Sequence, residues 1–435
     1  MWQGGSIMLK SISIKKLHNR YDYNIVFNKD LTLLYGSNGC GKTTILNIIS
    51  IIITGKFYQL YKYQFESIVL ELYANEQLIQ IYFDTKSEKI YVDFNNRIFE
   101  IKRRIDFEFY DEFEYKLRGI SNDEIDLESK MNSIFNFIYL PLNRSLVYHE
   151  YYKDLKYSNN NSFNNYLDCA LNEVEDIISE ATRKITLKEN AINKDYQKDI
   201  LSSSVKHFKE EDIPALIFSA KSIDLIQVED NRKKYINILK DLKMYDLNMK
   251  IKIDDFFDSF GRYIRTFRSK KSFTNFNIVM LWTYIEYLKI EDVIEMAEKY
   301  NEIKSNIRKP ITDFQSIIND FLKYGAINKK IRLKQDGDVY IETDNNPLDL
   351  YELSSGEKQL IITFAKLIFS IKQNRKNIFI VDEPESSLHL RWQSLLIPKL
   401  LSVDKNVQFI FATHSPEIVG EYRSYTKNVK PLDRK

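Results

Sequence analysis

Sulfur chemistry is nearly missing from this chain. It has two cysteines, Cys40 and Cys169, in 435 residues. That excludes a disulfide framework and a cysteine-built zinc site, and it fits a reducing cytosol. Long hydrophobic runs are missing too. None reaches the ~18–20 residues that a membrane span needs; the longest candidate, Ile45 to Thr54, is interrupted by Asn47. Neither sign of charge is in excess. Lys and Arg number 63, Asp and Glu 61, for a net +2, so the overall charge argues for neither a nucleic-acid nor a membrane partner. The five histidines, at 18, 149, 207, 389 and 414, form no HNH-like cluster. Met1 to Ile7 lacks the basic start and long apolar core of a signal peptide. It reads as upstream readthrough before a start at Met8, or as an appended leader.

What is present is sharper. Gly36-Ser37-Asn38-Gly39-Cys40-Gly41-Lys42-Thr43 fits G-x-x-x-x-G-K-[ST]. An apolar run, Leu31 to Tyr35, precedes it and reads as a buried strand. Thr44 to Ile52 follows and reads as a helix. Strand, glycine turn and helix together make a phosphate site. Glycines let successive N–H groups curl around a polyphosphate, and the helix start adds unpaired N–H groups and its dipole. Lys42 is expected to reach the β- and γ-phosphates of ATP. The Thr43 hydroxyl is expected to bind Mg²⁺, with Gly36 through Thr44 lining the nucleotide.

Either side of this loop the pattern is of short strands. Ile7 to Ile14 and Tyr23 to Phe27 alternate, and with Leu31–Tyr35 they open a sheet. The turn Leu17-His18-Asn19-Arg20 is either a surface turn or a contact to the base or α-phosphate. Phe65–Tyr73, Gln77–Phe83, Lys89–Phe94 and Arg97–Ile101 read as antiparallel hairpins. Such a lobe directly after the loop helix is not the alternating βαβ of small kinases or GTPases. Ile134–Leu140 reads as a buried strand ending near Asn143 and Arg144, which stand either in a nucleotide-sensing loop or in a proline turn. Length suggests two or three units, taken as 1–150, a helical insert over 151–328, and 329–435. Within the insert, Leu167–Ile177, Ile223–Leu242, Val279–Lys299 and Ile311–Tyr324 have helical periodicity without sustained heptads. Arg262, Arg265, Arg268, Lys270 and Lys271 interleave with Tyr263, Phe267 and Phe273. That composition suits a nucleic-acid grip, although charge runs are more often a solvated face.

The third segment carries the chemistry's other half. Ile331–Lys334 and Val339–Thr343 flank an Asp-Gly turn and read as a hairpin. Leu353-Ser354-Ser355-Gly356-Glu357-Lys358-Gln359 opens a helix to Ile371. Ile378 to Val381 is uniformly apolar and delivers Asp382 and Glu383 at a strand end. Asp382 is expected to hold Mg²⁺, and Glu383 to polarise the attacking water as a general base. Val407–Thr413 is another buried strand, ending at His414, which is placed to hydrogen-bond the γ-phosphate.

With these residues in order, the chain resembles an ABC-type ATPase head of the RecF/SMC sort. Gly36–Thr43 resembles Walker A, Leu353–Glu357 the signature, Asp382-Glu383 Walker B with its glutamate, Ser386–His389 the D-loop and His414 the switch histidine. The implied fold is α/β: a P-loop α/β lobe plus an antiparallel β-subdomain, with a compact helical insert. In such heads two copies sandwich two ATPs. Ser354, Ser355, Gly356 and Glu357 of one copy would face the phosphate loop of the other, Ser354 and the Gly356 amide touching the γ-phosphate. Asp-Glu-Pro-Glu-Ser-Ser-Leu-His, with His389 where Asp is usual, is similar to the OLD-like ATPases of bacterial anti-phage defence. The ATPase subunit of PARIS is the finer resemblance, with the Septu ATPase as near rival. Only 21 residues follow His414, so no appended nuclease domain is expected.

The leading expectation is therefore an ATPase that forms a homodimer or higher homo-oligomer on ATP. It would control a separate effector, a nuclease or toxin, with DNA or a phage protein as a possible trigger and no membrane partner. A RecF/SMC-like DNA-repair or DNA-clamping ATPase, and an ATP-locked scaffold with little turnover, are the alternatives.

Overall fold

The computed structural model describes residues 8–73, 78–84, 86–94, 96–103, 122–141, 166–205, 209–242, 244–269, 278–325, 327–334, 337–371, 377–404 and 406–432. Two compact units result, Met1–Ala181 with Pro310–Lys435, and Thr182–Lys309.

The first unit is built on two sheets. β1 (Leu9–Leu17), β2 (Tyr21–Val26) and β3 (Leu31–Tyr35) follow one another in the chain. They do not open one sheet as the alternation suggested: only β1 and β2 pair. These two join β4 (Ser67–Leu72), β5 (Leu78–Asp84), β6 (Lys89–Phe94) and β7 (Arg97–Ile101) in an antiparallel sheet of order β2-β1-β4-β5-β6-β7. Alternation fixes its buried face. Ile68, Leu70 and Leu72 of β4 and Ile90, Val92 and Phe94 of β6 are buried, and the residues between them are less so. One face is therefore dry and the other wet.

β3 belongs to the second sheet, with β8 (Asn136–Leu140), β11 (Asn377–Asp382), β12 (Val407–Thr413) and β13 (Thr426–Asn428). Its order is β13-β3-β12-β11-β8, and every neighbouring pair is parallel. A separate hairpin joins β9 (Lys329–Leu333) to β10 (Val339–Thr343). β11 and β12 are buried at every position, as a sheet covered on both faces requires. Ile378, Ile380, Ile410 and Ala412 share a core with the antiparallel sheet, with α1 (Lys42–Thr54) and with α2 (Asn122–Ile134). Phe379, Val381, Phe409 and Phe411 face the opposite core. That core is completed by α8 (Ser355–Ser370), α9 (Leu390–Val403) and α10 (Pro416–Val419). Strand parity then places Asp382 and His414 on the α1 side, two residues beyond Ile380 and Ala412.

The expected ABC-type layout of α/β lobe and antiparallel subdomain is thus present, with the helical unit between its halves. That unit comprises 182–309 rather than 151–328. The reason is packing. The first turns of α3 (Tyr166–Ser204), through Leu171, Val174 and Ile178, lie in the α/β core. So does the end of α7 (Ile278–Leu322), through Phe314, Ile318 and Phe321. The second unit packs α4 (Ile213–Ser222), α5 (Leu225–Asp241) and α6 (Leu247–Ser269) with the first part of α7 around Phe257, Phe260, Ile264, Tyr284 and Tyr287, while the rest of α3 meets α5 and α7 at Tyr196, Ile238, Ile294 and Ala297. Val279–Lys299 and Ile311–Tyr324 are one helix, not two: α7 runs through Pro310. A proline breaks one hydrogen bond but not a helix whose apolar face is packed on either side of it. No described helix is long and apolar enough to cross a membrane.

Candidate active site

The loop between β3 and α1 has the backbone that its glycines predict. Gly39 and Gly41 take φ of +76° and +96°. A Cβ at Gly41 would come within 2.8 Å of the Tyr23 hydroxyl, and one at Gly36 within 2.9 Å of the Val429 carbonyl oxygen. The Tyr23 hydroxyl in turn donates to the Cys40 carbonyl at 3.1 Å. β2 and the segment after β13 therefore brace the loop from outside. No side chain caps the start of α1 and no acidic residue sits in its first turn. Its first N–H groups remain available to an anion. Ser37, Asn38 and Gly39 are exposed at the rim.

Lys42 is buried, 5 % exposed. Its ammonium donates to the Gly36 carbonyl at 3.1 Å, to the Ser37 carbonyl at 3.4 Å and to His414 Nε2 at 2.5 Å. An ammonium has no acceptor lone pair, so in this contact it is the Nε2 lone pair that faces Lys42. The same Nε2 lies 3.7 Å from Glu383 Oε1. The structure thus brings Lys42, Glu383 and His414 together.

Asp382 is 1 % exposed. Neither of its carboxylate oxygens meets a donor at full hydrogen-bond geometry among the described residues. Burial pushes its carboxyl up from the ordinary value. The nearby Thr43 hydroxyl pulls the other way, the Glu383 charge adds to the rise and the Lys42 charge lowers it. Two orphaned, buried oxygens beside a hydroxyl fit a hard cation with oxygen ligands. No cluster of three or more His, Cys, Asp or Glu that could hold a metal occurs among the described residues. A site for Mg²⁺ that draws its other ligands from phosphate and water needs none.

The signature residues stand apart from this constellation. Ser354 caps α8 in a reciprocal box: its hydroxyl and N–H donate to Glu357 at 2.8 and 2.9 Å, and the Glu357 N–H returns to the Ser354 hydroxyl at 3.4 Å. Burial opposes ionisation of Glu357, but Lys329, at 2.9 Å, and Ser354 more than offset it and hold the carboxyl low. Ser354 and Ser355 are exposed and Gly356 is buried. Contacts of this helix run to the turn after β11, where the Gln359 amide donates to the Pro384 carbonyl at 3.2 Å. Gly356 is needed for that fit, since a Cβ would lie 2.4 Å from the Ser387 carbonyl oxygen. Gly356→Ala is expected to cost about 1–3 kcal/mol and to lower Tm. Ser355→Ala, on the exposed side, should leave Tm unchanged. Equal Tm values for the two would contradict the close approach.

Among the other expected positions, His389 is the N-cap of α9, accepting from the Arg391 N–H at 3.3 Å. Its place is structural. Arg262 and Arg265 are exposed on α6. Lys270, Lys271, Phe273 and the side chains of Phe267 and Arg268 lie outside the described residues, as do Asn143 and Arg144. The Leu17–Arg20 turn has His18 and Asn19 at positive φ, and the Arg20 guanidinium lies over the Tyr21 ring.

One residue was missed. Glu385, quoted above only as part of a motif, accepts from three consecutive residues at the end of β12: Thr413, His414 and Ser415. A second carboxylate two positions beyond Glu383 was the available signal. Two of its three partners are backbone N–H groups, which a sequence does not display.

The family model described as "AAA ATPase domain" matches residues 8–419. Curated relatives match over shorter stretches. The retron Ec83 probable ATPase of Escherichia coli is 32% identical over 28% of this chain and 24% of its own length. The retron Vc95 probable ATPase of Vibrio cholerae serotype O1 biovar El Tor is 27% identical over 39% and 36%. The Septu protein PtuA of Bacillus thuringiensis is 28% identical over 26% and 30%. The chain thus spans about a quarter to a third of the curated relatives it matches. Among solved structures, the Smc head domain of Pyrococcus furiosus, bound to the C-terminal domain of ScpA, aligns with TM-score 0.44 at 13% identity, covering 95% of this chain and 91% of that one.

Proposed function

Because the chain belongs to the AAA ATPase domain family, we propose that it binds and hydrolyses ATP at the end of β3, β11 and β12. We propose further that it closes as a dimer around the nucleotide to control a separate anti-phage effector. The observation that carries the first part is the meeting of Lys42, Glu383 and His414 beside the orphaned Asp382 carboxylate.

In this reading the open N–H groups of α1 and the Gly36–Thr44 backbone hold the phosphates. Lys42 leaves the Gly36 and Ser37 carbonyls for the β- and γ-phosphate oxygens. Asp382 and the Thr43 hydroxyl would hold Mg²⁺, which when bound neutralises phosphate charge. Glu383 accepts a proton from the attacking water, and His414 hydrogen-bonds the γ-phosphate side of the site. Ser354, Ser355 and the Gly356 N–H lie outside this constellation at an exposed helix start. That supports a role toward a second copy's nucleotide. The capping box holds that helix start in shape before any partner arrives.

The defence role draws on the retron ATPases and PtuA as relatives. These relatives support the anti-phage ATPase reading and not the finer OLD-like or PARIS resemblance. The test is expression of the chain with its flanking genes in a phage-sensitive bacterium. Plaque numbers should fall with the wild-type chain and recover with Lys42→Met. No protection, and no protein recovered with the tagged chain, would contradict the effector reading.

A further inference from the structure

We propose that Glu385 is a positioning residue of the hydrolytic site, acting by holding the backbone that aims His414. This inference rests on the ATPase reading above and adds a residue to it.

The geometry is specific. Glu385 stands in the turn after β11. Both of its carboxylate oxygens lie 2.8 Å from the Thr413 hydroxyl, which donates to them. Oε1 also accepts from the His414 N–H at 2.6 Å and the Ser415 N–H at 3.1 Å. Three successive residues at a strand end thus converge on one half-buried carboxylate. Bonds to a charged acceptor are the shorter and stronger kind. Their effect is to fix the backbone at His414, whose ring must span the gap between Lys42 and Glu383.

The turn that carries Glu385 is itself held. The Glu383 N–H donates to the Ala412 carbonyl at 2.8 Å, and Glu383 takes φ of +47°, a region L-residues seldom adopt. The Leu388 N–H donates to the Glu385 carbonyl at 3.0 Å. Gln393 closes the far side: its amide donates to the Leu388 carbonyl at 2.8 Å and its carbonyl accepts from the Ser415 hydroxyl at 2.7 Å. The two carboxylates of the turn are thereby divided. Glu383 is directed to the His414 ring, and Glu385 to the backbone beneath it. Glu385 touches no reacting atom and is exchangeable in principle with any acceptor of the same reach.

The test is a double-mutant cycle on the full chain, with kcat and KM for ATP measured separately from binding of a fluorescent ATP analogue. Glu385→Ala should lower kcat by about 10²-fold, the scale of a misplaced catalytic group, with analogue binding unchanged. Glu385→Gln keeps one acceptor oxygen and should fall between. The double variant Glu385→Ala/His414→Ala should be no slower than His414→Ala alone, because a residue acting through His414 has nothing left to position. If Glu385→Ala does not fold, the same cycle run with Glu385→Gln decides. Losses that multiply in the double variant, or a Glu385 variant with wild-type kcat, would overturn the inference. A wild-type chain without ATP turnover overturns the ATPase reading and this inference with it.

Discussion

Glu383→Gln is expected to slow ATP turnover by about 10²–10⁴-fold, the usual contribution of a positioned general base, while MgATP binding survives. The substitution keeps the side chain's size and one acceptor oxygen but removes the charge that draws a proton from water. Binding is carried elsewhere, by the Gly36–Thr44 backbone, Lys42, Thr43 and Asp382. Glu383 is also free to take that role sterically. His414 Nε2 lies 3.7 Å from its carboxylate, and its side chain is only partly buried at 29 % exposure. A water can therefore reach it. Single-turnover hydrolysis and analogue binding on the same preparation separate the two effects. Turnover close to wild type would remove Glu383 from the mechanism.

Lys42→Met should do the reverse: abolish the response to MgATP without harming the empty protein. Lys42 is 5 % exposed, and among the described residues its hydrogen-bond partners are two carbonyls, a thiol and an imidazole nitrogen. A buried charge without a carboxylate partner costs stability that a phosphate would offset. Methionine has similar reach and no charge, so the nucleotide-free Tm should stay level or rise. At about 100 times its Kd, a ligand adds about 2.7 kcal/mol to wild-type stability. The Lys42→Met variant should show none of that shift. A full MgATP shift in the variant would mean that the nucleotide sits elsewhere.

Much of the site was legible because its parts sit where sequence patterns are strongest. A glycine loop between strand and helix, and a carboxylate pair at the end of an apolar run, each declare their own local structure. β6, β7 and β12 are found with the bounds their alternation or apolar run predicts. Pairing is a different matter. β3 groups with β1 and β2 by its place in the chain, although it is an apolar run where they alternate, and its contacts with β12 and β13 put it in the other sheet. β13 is too short to show a period, yet the residue following it, Val429, crowds Gly36. The insert's bounds differ because the first turns of α3 and the end of α7 enter the α/β core, and periodicity does not say which core a helix enters. Glu385 stayed hidden because most of what it holds is main chain.

The capping of Ser354 qualifies the expected role of the signature. Its hydroxyl is already a donor to Glu357, so donation to a second copy's γ-phosphate would require the hydroxyl proton to rotate away from Glu357, or the contact would fall to the Gly356 N–H. The reciprocal box is well suited to that exchange, because Lys329 keeps Glu357 paired when Ser354 turns away.

The measurement that bears most directly on the account is the light-scattering mass of Glu383→Gln with and without MgATP. Hydrolysis is blocked in this variant, so a nucleotide-bound dimer should accumulate. The account predicts a mass that doubles on adding MgATP and returns when the nucleotide is removed. A mass that does not change with MgATP, in a variant shown to bind it, would contradict the site shared between two copies.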